Sequence, residues 1–113
     1  MSKSNLRAGV IVLTLITALV HLFLGVGGLV RGHTGTLEIL WTLNGLGYLG
    51  LLTAFMGYVP FFKGKNVSWA LMAFALVTIV AWLFMGMMTD KIAWATKADE
   101  VLLIVVAYLQ MRK

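Results

Sequence analysis

Hydrophobic residues return along this chain in four long runs, about 8–30, 37–58, 67–88 and 92–110, parted by short polar or glycine-bearing breaks. Each run is close to the ~20 residues that carry a helix across a ~30 Å hydrocarbon core. Within the runs the small and polar positions recur at steps of three and four, which gathers them on one side of a helix. The first run places Thr14, Thr17, His21, Gly25 and Gly28 on one narrow stripe against a background of Val, Leu, Ile and Phe. The second aligns Asn44, Gly47, Gly50, Ala54 and Gly57, and the third Leu71, Ala75, Thr78, Trp82 and Met85. In lipid, apolar side chains gain little by leaving acyl tails for each other, so helices associate through small residues and polar contacts. Gly25, Gly28, Gly47, Gly50, Ala54 and Gly57 are therefore the expected helix-packing positions.

Breaks this short make successive helices antiparallel neighbours. The expected fold is all-α, a single integral membrane domain over residues 1–113 arranged as a four-transmembrane-helix up-down-up-down bundle. Thr34 or Thr36 would cap the second helix, Pro60 would end it, and Asn66 or Ser68 would cap the third. Lys3 and Arg7 precede the first run as in a signal peptide, but the run is longer than a signal core and no small-residue cleavage pattern follows, so it reads as a span.

Composition agrees with lipid as part of the solvent. A chain of 113 residues that is 61% hydrophobic and 12% charged, with mean hydropathy +0.97, exceeds what a soluble core of this size can bury. The basic residues then report orientation. With the N-terminus inside, Lys3, Arg7, Lys63, Lys65, Arg112 and Lys113 fall on the cytoplasmic side and Arg31, Lys91 and Lys97 on the other, which predicts a multi-pass protein of the cytoplasmic membrane with both termini cytoplasmic. The net charge of +5 is scattered over span ends without a basic stripe, so no nucleic-acid partner is expected. The absence of cysteine excludes disulfides, thiolate metal ligands and cysteine nucleophiles.

Depth adds one constellation to the stripes. His21, Asn44, Trp82 and Glu100 each lie roughly 9–14 Å below the outer ends of their runs, with Lys97 a helical step from Glu100. Ionisable groups at that depth are costly and face the bundle interior or a water-filled cavity. The five residues form a candidate intramembrane polar cluster, read either as a hydrogen-bond network that fixes helix register or as a site open to the outer leaflet. The indole of Trp82 is expected to find a partner inside the span if it does not reach the interface.

Other chemistries find less support. Gly45, Gly47 and Gly50 spell a dinucleotide-type glycine pattern, but no strand precedes it and no acidic residue follows at the required spacing. Met85, Met87 and Met88 with His21 or His33 could suit Cu(I), yet they match no copper spacing and methionine fills gaps in helical bundles. A bis-histidine haem site is disfavoured because His33 falls in a predicted loop. Paired catalytic carboxylates, a nucleophile elbow and a zincin motif are missing, so the expectation is no enzyme, no metal and no cofactor.

The segments Leu43–Leu52, His21–Gly25 and Lys97–Leu103 together resemble a group of small, uncharacterised four-helix integral membrane proteins of bacteria and archaea. That resemblance covers nearly the whole chain and implies no activity. In size and span count the chain is also similar to the small multidrug resistance exporters, but the first run here has no carboxylate where that family has its essential glutamate. Four spans with minimal loops leave almost no aqueous surface, so the expected role is a non-catalytic accessory or assembly subunit of a larger membrane complex, with the bilayer and other membrane proteins or its own copies as partners. The alternatives are a small oligomeric carrier or channel using His21 and Glu100, or a binder of a hydrophobic cofactor such as a quinone, a pigment or haem.

Overall fold

The computed structural model describes residues 2–32, 35–62, 64–85 and 91–112 and is all-helical there, with no strand among the described residues. The helices are α1 (Lys3–Val30), α2 (Thr36–Phe55), α3 (Lys65–Met85) and α4 (Lys91–Arg112). They run up, down, up and down around a ring in chain order, with α4 returning to α1, while the diagonal pairs α1/α3 and α2/α4 stay apart at the backbone. Contact is densest between α1 and α2 and sparsest between α2 and α3.

The helix ends have local causes. Ser2 caps α1 by accepting from the Asn5 backbone N–H at 3.1 Å. The N-cap of α2 is Gly35, which has no side chain to offer, so Thr36 is the first helical residue and not a cap. Thr34 lies outside the described residues, as do His33, Lys63, Gly86–Asp90 and hence Met87 and Met88. Gly57 ends α2 three positions before Pro60, because its φ of +92° reverses the chain in a conformation that disfavours any side chain. Asn66 and Ser68 lie inside α3, which begins at Lys65, and Ser68 donates instead to Gln110 Oε1 of α4 at 3.3 Å.

Large apolar side chains cover much of the outer surface. Phe23, Val77 and Phe84 are mostly exposed, and so are Leu19, Leu43, Val101 and Leu102. Inside are Thr14, Thr17, His21, Thr78, Thr96, Lys97 and Glu100 among the aliphatic and aromatic residues. By length and apolarity, α1 and α3 each suffice to cross a membrane.

The inward stripes of α1 and α3 follow the three-and-four spacing of their small and polar residues: Thr14, Thr17, His21, Gly25 and Gly28 are buried, as are Leu71, Ala75, Thr78 and Trp82, while the side chain of Met85, the last of the α3 stripe, lies outside what is described. The inward face of α2 is different. It is centred on Gly45, Tyr48, Leu52 and Phe55, so Gly50 points out of the bundle with open space where a Cβ would stand. Gly50 and Gly57 are thus not packing positions, whereas Gly45, unmarked by the stripe, is: a Cβ there would come within 2.9 Å of the Ala18 carbonyl of α1. Gly25 and Gly28 do lie against α2, Gly47 lies under the Phe74 ring of α3, and Ala54 is buried.

Candidate functional site

Two structures occupy the half of the bundle containing the C-terminal end of α1 and the N-terminal end of α4: a sealed polar layer and, beside it, a cavity. The layer is built on α4. Its buried face, Thr96, Lys97, Glu100, Leu103, Ala107 and Gln110, turns a carboxylate and an ammonium toward the bundle axis. Glu100 is fully buried and forms an ion pair with Lys97 three residues earlier. Its other oxygen accepts from the Tyr48 hydroxyl of α2, so a side-chain bridge joins the diagonal that the backbones leave open. Pairing and a charge-assisted hydrogen bond together offset the penalty of burying the two charges. Lys97 is 7% exposed, so it does not snorkel to the surface.

Tyr48 is the residue that the sequence reasoning missed. A signal was present, because Trp41, Gly45, Tyr48, Leu52 and Phe55 recur at steps of four, three, four and three, and a buried tyrosine needs a partner for its hydroxyl. The Tyr48 ring packs edge-on against Phe74, centroids 4.7 Å apart, and lies 6.0 Å from the His21 ring.

His21 and Asn44 stand in the same region but make other bonds. His21 Nδ1 lies 2.7 Å from the Thr17 backbone oxygen, one turn back on α1. A carbonyl only accepts, so Nδ1 carries the hydrogen and Nε2 is the acceptor of the neutral ring. Asn44 Nδ2 donates to Thr78 Oγ1 of α3 at 2.8 Å, and Thr78 donates on to the Phe74 carbonyl at 2.8 Å. Because the Thr78 hydrogen is engaged, Asn44 must present its amide nitrogen there, which leaves Asn44 Oδ1 buried without a hydrogen-bond donor among the described residues. The hydrogen-bond partner of Glu100 is thus Tyr48, one turn along α2 from Asn44.

The cavity has a volume of about 310 Å³ and is lined from all four helices. His21, Asn44, Trp82, Thr96 and Lys97 supply its polar edges, and Trp41, Phe74, Leu24, Leu43 and Val77 much of the remainder. It lies along the sparsely packed α2/α3 seam, where Leu40, Leu43 and Val77 of its lining are exposed on the outer surface. The indole of Trp82 packs against Trp94, centroids 5.0 Å apart and nearly perpendicular. Its Nε1–H, contrary to expectation, has no hydrogen-bond partner among the described residues although Trp82 is only 7% exposed. Four of the five members of the sequence-derived cluster therefore line one cavity, and the fifth, Glu100, is held behind it by Lys97.

A family model matches residues 2–110, and it is the one described as a family of unknown function, DUF7475. The chain belongs to that family. No curated protein matches it, and no solved structure does. The family description carries no activity, so chemistry has to be argued from the side chains themselves. Among the described residues no three His, Cys, Asp or Glu side chains come together as a metal site. His33, Met87 and Met88, weighed above as soft-metal ligands, lie outside the described residues. Asp99 is half-buried with Oδ2 lacking a hydrogen-bond partner, but it is not part of the cavity wall.

Proposed function

We propose that this chain is a non-catalytic, four-span protein of the cytoplasmic membrane that receives a lipid-soluble small molecule in the cavity along the α2/α3 seam. The carrying observation is the cavity itself: mostly apolar, lined from four helices, flanked by exposed apolar residues, and edged by the residue whose buried indole N–H has no hydrogen-bond partner among the described residues. Pockets that bind small molecules are commonly apolar with a few placed polar groups.

The span count rests on where side chains point. By hydropathy only α1 and α3 qualify as spans among the described residues, but of the polar residues of α2 and α4, Tyr48, Lys97, Glu100 and Gln110 are buried in the bundle. Outward these two helices carry Ile39, Leu43 and Leu46, and Val101, Leu102 and Val105, which suit acyl chains. For orientation, Lys3, Arg7, Lys65 and Arg112 gather at one end of the bundle, while Lys97, counted on the opposite side from sequence, is buried and paired. That sharpens the bias toward cytoplasmic termini.

The test is to purify the full chain in mild detergent and extract it for mass spectrometry. A bound lipid-soluble molecule should be recovered, and Ala81→Trp, which fills the cavity from α3, should lose it while the helical content is kept. Recovery of the same extract from both proteins would overturn the reading. Since the chain has no cysteine, single cysteines at Ser4 and Gly32 should label from opposite sides of the membrane.

An accessory or assembly role is the second reading. It is favoured by Gly50, whose outward face leaves room for another helix to approach closely. A cysteine placed at Gly50 should then crosslink to a neighbouring polypeptide.

A further inference from the structure

We infer that the ligand of the α2/α3 cavity is a neutral amphiphile whose head is a hydroxyl-bearing aromatic ring, of the phenol or hydroquinone class. This rests on the proposed ligand-binding role of the cavity and deepens it. The argument is one of complementarity. The polar edges of the cavity are formed by residues that carry, among the described residues, one unpartnered buried donor, Trp82 Nε1–H, and one unpartnered buried acceptor, Asn44 Oδ1, and beside them stands the His21 ring, whose Nε2 accepts when the ring is neutral. A buried polar atom left unpaired is costly, so a ligand that satisfies both the indole donor and the amide acceptor is favoured over one that satisfies a single atom. A carbonyl head accepts and cannot donate, so it would serve Trp82 alone. A hydroxyl both accepts and donates, and two hydroxyls on a ring serve donor and acceptors together.

Charge and shape narrow the class. The ammonium of Lys97 at the cavity edge is already neutralised by Glu100, so an anionic head would meet two acceptors and no free cation. A cationic head would be buried beside that ammonium without a counter-charge of its own. Trp41, Phe74 and Trp82 give the wall flat aromatic faces and edges, which favour an aromatic ring over an aliphatic alcohol. A volume of about 310 Å³ leaves room for a ring and the first part of a tail, and the seam between α2 and α3 gives the tail a way out among Leu43 and Val77.

The test compares three probes on the full chain in nanodiscs: a short-chain alkylated hydroquinone, the benzoquinone of the same skeleton, and the bis-O-methyl ether, which accepts hydrogen bonds but cannot donate them. Binding is followed by isothermal calorimetry. The hydroquinone should bind about tenfold more tightly than either of the others, the effect of one or two added hydrogen bonds. Asn44→Leu and His21→Phe should shrink that preference, and Trp82→Phe should weaken all three probes. Equal affinity of the three, or preference for the quinone, would overturn the assignment of the head while leaving the cavity a binding site. Binding of none of them would also overturn it, and extraction of a chemically different molecule from the wild-type protein would then show that only the ligand class was wrong. The comparison is made between ligands on the unaltered protein, so it stands even where a variant fails to fold.

Discussion

Along the α1/α2 seam glycine meets backbone: a Cβ on Gly25 would collide with Thr42 and approach the Glu38 carbonyl to 2.8 Å, and one on Gly45 would meet the Ala18 carbonyl. Along the α2/α3 seam glycine meets an aromatic ring, Gly47 lying under Phe74, and Trp41 and Trp82 stand nearby on the two helices. Both seams draw on the glycines of one helix, yet the first is the most densely packed in the bundle and the second holds the cavity. Small residues close a seam only when the facing surface is also small. Opposite large flat rings, the same glycines make room for the rings, and the helices stand apart around them.

Removing the charge behind both seams should have the largest effect. Glu100→Leu leaves the Lys97 ammonium buried without its counter-charge and the Tyr48 hydroxyl without its acceptor, and should destabilise the fold by about 3–5 kcal/mol. Adding Lys97→Met should recover most of that loss, because two well-packed apolar residues need no partner. Unfolding measured in bicelles for the single and double variants checks both statements. If the single variant is as stable as the parent, the polar layer holds nothing together.

Next in size is the close seam. Gly25→Ala places a methyl group against α2 backbone and should cost about 1–3 kcal/mol in the same unfolding measurement. Gly28→Ala should cost less, since the nearest atom, 2.7 Å away, is Glu38 Cγ on a side chain that can swing aside. Equal effects would mean that backbone approach does not set this seam.

On the open seam, Asn44→Leu removes the hydrogen bond to Thr78, the direct polar link from α2 to α3 beside the cavity. The expected loss is about 0.6–1.7 kcal/mol, the scale of interhelical hydrogen bonds in membranes. The smallest effect belongs to the outer face of α2. Gly50→Ala enters open space and should change stability by no more than about 0.5 kcal/mol. A larger loss confined to native membranes would point to another helix docked on that face.

The chain by itself determined the helix count, the approximate extents, and the inward faces of α1 and α3. Those faces are legible because a few polar or small residues stand on an otherwise apolar cylinder, so spacing alone orients them, as with Thr14, Thr17, His21 and Gly25. Counting residues along each helix put His21, Asn44, Trp82 and Glu100 at one expected level; the first three line the cavity together with Lys97, and Glu100 is held behind it. The inward face of α2 was not, because Gly45, Gly47 and Gly50 make it small on several sides at once, and only the neighbours decide which side is covered. The pairing of Tyr48 with Glu100 crosses a diagonal, and no local pattern encodes the distance between helices whose backbones stay apart. The cavity was beyond sequence for the same reason. Empty volume is set by how far Phe74, Trp41 and Trp82 hold α2 and α3 apart, a property of packed side chains in three dimensions.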